Sequence, residues 1–123
     1  MSGTPITVRI AALGIGIHAI DHIIVLLWPP FGWHVGTVFH LISGPVYAAL
    51  ILPVVRGRNW ARITISFLLG GQFIGRFVVW MLFSSSGAHA ALLAGWTLSV
   101  IVLALLWIPA ATRRHFRPTR TWY

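Results

Sequence analysis

The chain of 123 residues contains no cysteine, no lysine and no glutamate, and Asp21 is its single acidic residue. The lack of cysteine excludes disulfides, thiolate metal sites and dithiol redox chemistry. Charged residues make up only 8% of the sequence, whereas the surface of a soluble domain is rich in charge. These absences exclude an ordinary soluble domain and direct attention to the apolar residues.

Four long apolar segments account for most of the chain, and about 20 apolar residues span a bilayer as a helix. Hydrophobic residues make up 58% of the sequence, and the mean hydropathy is +0.87. We therefore predict an all-α, polytopic membrane protein whose single domain, residues 1–112, is an up-and-down four-helix transmembrane bundle. The predicted spans are 6–28, 34–55, 60–83 and 88–111, followed by a basic juxtamembrane tail at 113–123.

The arginines indicate an orientation in the membrane. The connection between the second and third spans carries Arg56, Arg58 and Arg62, and four more arginines lie in the tail, whereas the other two connections carry none. By the positive-inside rule, we expect both termini to be cytoplasmic. We also expect a multi-pass protein of the plasma membrane. The arginines that give the net charge of +8 lie beside apolar segments rather than on a soluble surface. We therefore expect the tail to bind anionic lipid and the protein not to bind nucleic acid.

Ionisable side chains also occur inside the predicted spans, where they are costly and suggest a function. Asp21 lies between His18 and His22 in the first span, and helical spacing places the three on one face. Counting about 1.5 Å per residue from the outer turns places Asp21 level with Arg76 of the third span. A lone charge in lipid costs on the order of 3 kcal/mol or more, so we predict an ion pair between Asp21 and Arg76.

Two further polar residues fall near the same depth. His40 of the second span is level with His22, and Gln72 lies one turn deeper than Arg76 on the same helix face. The predicted ligand- or proton-binding site in the outer half of the bundle consists of His18, Asp21, His22, His40, Gln72 and Arg76. If the protein is an enzyme, Asp21, His22 and Arg76 are the catalytic candidates. The three other histidines, His34, His89 and His115, are expected to be solvated and to have no role.

The histidines allow three interpretations. His18 and His22 have helical metal-ligand spacing, and His40 could supply a third ligand for zinc or copper, although Arg76 nearby would repel a dication. A haem between His22 and His40 needs more room than the typical 8–10 Å between neighbouring helices. The third interpretation is a set of neutral histidines that line a wet pocket and hydrogen-bond to each other. We predict no cofactor.

Three classes of function remain open. The first is a binding or accessory membrane subunit with a partner protein. The second is a small proton-coupled transporter that works as a homo-oligomer, and the third is a membrane enzyme acting on a lipid or isoprenoid. For the enzyme, the predicted apolar walls are Phe31, Trp33, Phe39, Trp80 and Trp96. Gly71 and Gly75 form a G-x-x-x-G pair, which is typical of close helix packing, although glycines are common in spans.

Overall fold

The computed structural model describes residues 3–27 and 36–118. These residues form helices and no strands, and four of the helices are long and apolar enough to cross a membrane. The prediction of an all-helical membrane protein is confirmed at this level. The helices are α1 (Ile6–Leu27), α2 (Gly36–Val55), α3 (Asn59–Leu82), α4 (Ser86–Trp107) and α5 (Ala110–His115).

The end of the fourth span differs from the prediction. We expected a helix over 88–111, but α4 begins at Ser86 and ends at Trp107. Ser85 caps its first turn, since its side chain accepts a hydrogen bond from the backbone N–H of Ala88, as N-cap serines do. Pro109 lacks the N–H that would continue the helix. The chain therefore turns there and starts the short helix α5, which the sequence interpretation missed.

The four long helices pack unequally. Helix α1 contacts α2 and α4 extensively, α3 packs mainly on α4, and the contact between α2 and α3 is smaller. The central core contains apolar side chains from all four long helices, with Ile15, Tyr47, Leu69 and Leu106 among the most deeply buried. Large apolar side chains also cover the outside of the helices, as expected of surfaces that face lipid tails.

Glycines permit the closest helix contacts, but not at the predicted pair. Gly14 of α1 lies against Val102 of α4, and Gly44 of α2 lies against the α1 backbone at Ala19. By contrast, no atom lies within 4 Å of a methyl group added at Gly71 or Gly75. The G-x-x-x-G pair is therefore not used for packing within the described part of this chain.

Candidate functional site

Helix α1 supplies two histidines one turn apart on the side that faces the bundle. His18 and His22 are 1% and 2% exposed. The i, i+4 spacing places them one above the other on the helix. Because a buried polar group without a partner is costly in a membrane, both rings must find hydrogen bonds inside the protein. They find them on two different neighbouring helices.

His22 connects α1 to α2. Its Nδ1 lies 2.8 Å from Nδ1 of His40, so one of the two rings donates a proton to the other. The Nε2 atom of His22 is buried and has no hydrogen-bond partner, and Gln72 lies beside this ring. Phe39 and Tyr47 pack against the ring of His22 with centroid distances of 5.8 and 5.1 Å.

Tyr47 connects α2 to α3. Its side chain is 1% exposed, and its hydroxyl group donates to Oε1 of Gln72 over 2.7 Å. A buried tyrosine usually needs a partner for its hydroxyl group. Gln72, predicted at this depth, meets that need and fixes the rotation of α3 relative to α2.

Ser99 connects α4 to both α3 and α1. Nη1 of the buried Arg76 donates to Oγ of Ser99 over 2.8 Å, and the same Oγ lies 3.4 Å from Nε2 of His18. Gly95 makes room for the guanidinium, because a Cβ at that position would lie 2.9 Å from Nε and 3.0 Å from Cζ of Arg76. One small hydroxyl group thus joins three helices.

These contacts form a closed circuit around the bundle. The links join α1 to α2, α2 to α3, α3 to α4 and α4 back to α1. We call this set of side chains the polar ring; its members are His18, His22, His40, Tyr47, Gln72, Arg76 and Ser99. Interhelical hydrogen bonds of this kind contribute about 0.6 kcal/mol each on average in membrane proteins. Their larger effect is to fix the register and rotation of the four helices together.

Asp21 is outside the ring, and its predicted ion pair is wrong. Its side chain is exposed, and it forms no ion pair or hydrogen bond with any described residue. Arg76 is near enough to act on it electrostatically but donates to Ser99 instead. Depth counting placed the two charges at one level but did not give the rotation of α1. Successive helical residues differ by about 100°, so Asp21 lies on a different side of α1 from its neighbour His22.

The structure does not bring the candidate metal ligands together. Within residues 3–27 and 36–118, no three side chains of the metal-binding types are grouped so that they could hold an ion. His18 contacts Ser99 on α4, whereas His22 and His40 contact each other. The direct contact between His22 and His40 also leaves no room for a porphyrin between them.

The aromatic residues predicted as walls of a lipid pocket lie in two separate places. Phe31 and Trp33 are outside the described residues. Phe39 contacts the histidines of the ring, whereas Trp80 and Trp96 pack together between α3 and α4 with centroids 5.7 Å apart. A shallow apolar groove of about 450 Å³ on α3 and α4 includes Trp96 but no ring member. The structure therefore contains no single pocket with these walls within the described ranges.

Two of the histidines expected to be solvated are bonded. His89 stacks on Trp80 at 3.6 Å between ring centroids, and its Nε2 donates to the Phe83 carbonyl oxygen over 2.7 Å. His115 Nε2 donates to the Val55 carbonyl oxygen over 2.9 Å. His34 lies outside the described residues.

Sequence reasoning missed Ser99, the residue that closes the ring. A serine within a transmembrane helix is a weak signal because it can bond to its own backbone. The available clue was its depth, since Ser99 follows Trp96 by three residues and lies opposite His18 on the antiparallel helix.

A comparison of the chain with known protein families, curated proteins and solved structures finds no match. The function must therefore be argued from this geometry.

Proposed function

We propose that this protein is an accessory subunit of a membrane complex and that it binds another membrane protein through the face of α1 that carries Asp21. A single observation carries the proposal. The only carboxylate side chain in the chain is exposed within a transmembrane helix and has no ion pair or hydrogen bond with the described residues. The other polar residues predicted at this depth form hydrogen bonds within the ring.

The energetics favour a partner for Asp21. A carboxylate within a span costs up to about 3 kcal/mol on insertion scales, the value for the helix centre. Its neighbours on the same side of α1 are the exposed apolar residues Ile17 and Ile24, which offer no hydrogen bond. A cationic side chain on a transmembrane helix of another protein would remove this cost. Arginine suits the role because its planar guanidinium can bind a carboxylate with two hydrogen bonds.

A second copy of this chain is a poorer partner. Among the described residues, the only arginine in the same half of the bundle is Arg76, which is buried and bonded to Ser99. The other described arginines lie at the opposite end, on the first turns of α1 and α3, on the α2–α3 turn, in α5 and just after α5. The partner is therefore a different protein. As part of the same proposal, the arginine distribution supports an up-and-down bundle with both termini in the cytoplasm and residence in the plasma membrane.

The absence of cysteine makes a clean crosslinking test possible. A benzophenone maleimide attached to an Ile24→Cys variant in native membranes would sample the Asp21 face, and Val78→Cys on the exposed side of α3 is the matched control. We expect a heavier adduct from position 24 alone. Asp21→Asn should reduce its yield about tenfold, the equivalent of ~1.4 kcal/mol, and Asp21→Glu should retain it. No adduct, equal adducts at both positions or an adduct of two copies of this chain would contradict the proposal.

The contact between His22 and His40 favours proton transport as a second candidate function. Two ring nitrogens 2.8 Å apart can pass a proton from a protonated ring to a neutral one, which is the elementary step of a histidine proton relay. In liposomes loaded with a pH-sensitive dye, the wild-type protein should then dissipate an imposed pH gradient, and His40→Gln should not. Equal leak rates for the two proteins would exclude this function without affecting the accessory-subunit proposal.

A further inference from the structure

The short helix α5 folds back against the turn between α2 and α3. His115 Nε2 donates to the Val55 carbonyl oxygen, and the backbone oxygen of His115 lies 2.6 Å from where a Cβ would be at Gly57. Gly57 has φ of 72°, a conformation that side-chain-bearing residues rarely adopt. Glycine is thus required here both by the backbone conformation and by the close approach of α5.

Two further contacts hold α5 in place. The hydroxyl groups of Thr7 and Thr112 lie 2.6 Å apart and join α1 to α5. Phe116, directly after α5, is 2% exposed and packs under the guanidinium of Arg62, whose Cζ is 4.8 Å from the ring centroid. The same Cζ lies 3.9 Å from the ring of Trp107. Residues 113–116 of the tail predicted at 113–123 are therefore docked on the bundle together with the rest of α5.

This docking joins two groups of arginines that are more than 50 residues apart in the sequence. One group is on the α2–α3 turn and the other is on α5 and the residue after its C-cap; all are exposed. We call the combined surface the arginine patch; its members are Arg56, Arg58, Arg113, Arg114 and Arg117. Because His115 contacts Val55 and Gly57, the two backbone segments that carry these groups are held against each other.

No acidic side chain of the chain can neutralise the arginine patch. Asp21 lies 15 residues along α1 from its first residue, Ile6, which corresponds to ~22 Å of helix. That distance exceeds the Debye length of about 8 Å at physiological ionic strength. The patch is therefore not neutralised by an acidic side chain and can attract anions from outside the chain.

We propose that the arginine patch binds the headgroup of an anionic phospholipid that carries two phosphates, one held by the α2–α3 turn and the other by α5. The patch lies at the end of the apolar helices, where lipid phosphates are located. Arginine binds phosphate with two parallel hydrogen bonds, and two arginine groups on segments that are docked together match two linked phosphates better than one. This site is independent of Asp21 and of the polar ring.

The test compares lipids by native mass spectrometry of the full chain in neutral detergent. We expect diphosphatidylglycerol to bind about tenfold more tightly than phosphatidylglycerol at equal phosphate concentration, and phosphatidylcholine to bind more weakly than either. Inorganic pyrophosphate serves as the probe for a free anion. Equal binding of the two anionic lipids, or competition by pyrophosphate at the same concentration as the lipid, would overturn the proposal.

A glycine substitution separates geometry from charge. Gly57→Ala keeps every arginine but displaces α5, so the preference for the two-phosphate lipid should fall from about tenfold to less than about threefold. Gly75→Ala is the control, since nothing lies within 4 Å of its added methyl group. Should Gly57→Ala fail to fold, Phe116→Ala releases α5 with the same charges. If a folded variant of this kind keeps the full preference, the two-group site is wrong.

Discussion

The polar ring and the arginine patch show two ways in which one membrane protein handles polar residues. The ring contains a single cation, Arg76, and each of its bonds joins side chains of neighbouring helices. The patch contains five exposed arginines and is held in place by contacts of its neighbours, Phe116 and His115. Within the span, lipid offers no hydrogen bonds, so polar groups must be satisfied internally. At the interface, charges can bind molecules outside the chain.

The difference is clearest for arginine itself. Arg76 is buried, and Gly95 and Ser99 shape its surroundings. Arg62, at the other end of the same helix, lies over aromatic rings and donates to the side chain of Asn59 over 2.6 Å. The first arrangement specifies how helices pack, whereas the second attaches a surface element to the bundle. The two regions should therefore respond differently to substitution.

The largest expected effect is a local one at the basic end. Phe116→Ala removes a buried aromatic ring, a change that typically costs 3–5 kcal/mol. We expect this cost to appear as undocking of α5, with hydrogen exchange of the α5 amides accelerated at least about a hundredfold and the melting temperature of the four long helices unchanged. If the whole bundle melts earlier, α5 and the bundle form one cooperative unit and the contrast between the regions fails.

A smaller but global effect is expected from Gly95→Ala. The added methyl group would displace the guanidinium of Arg76 from Ser99. Overpacking and the loss of this charge-assisted hydrogen bond should together lower the free energy of unfolding by about 2 kcal/mol. Gly75→Ala is the matched control on α3, because its methyl group meets open space. Unfolding by sodium dodecyl sulfate in mixed micelles measures both. Equal stabilities of the two variants would mean that the contact between Arg76 and Ser99 does not hold the bundle together.

The smallest effect concerns one link of the ring. A double-mutant cycle of Tyr47→Phe and Gln72→Leu should give a coupling of about 0.6 kcal/mol, the average for hydrogen bonds between transmembrane helices. The same cycle isolates the bond from other consequences of each substitution. A coupling near zero would show that the hydroxyl group of Tyr47 is equally well satisfied elsewhere.

The sequence was sufficient to predict the four spans but not their last boundary. Apolar run length determines where a helix can cross a membrane, and α1, α2 and α3 begin and end within about two residues of the predicted bounds wherever those bounds are described. For α4, Pro109 lies near the end of a run that stays apolar to residue 111. Hydropathy alone placed the span end too late because it does not register the missing backbone donor.

Prediction of the site had a similar limit. Counting residues gave the depth of His22 and His40, and these two side chains meet. Asp21 and Arg76 share a depth but are not paired, because a level along the membrane normal leaves the rotation of each helix undetermined. That rotation depends on small residues such as Gly95 and Ser99, whose roles appear only when the helices are packed.

The position of Ser99 in the chain has a consequence for biosynthesis. Helix α4 is the last of the four long helices to be synthesised, and Ser99 supplies both bonds that close the ring. Until α4 enters the bilayer, the guanidinium of Arg76 and the ring of His18 lack their common partner. The first three helices therefore leave the ribosome with these two polar side chains still without their partner on α4. A chain that ends before α4 should be degraded rather than accumulate in the membrane.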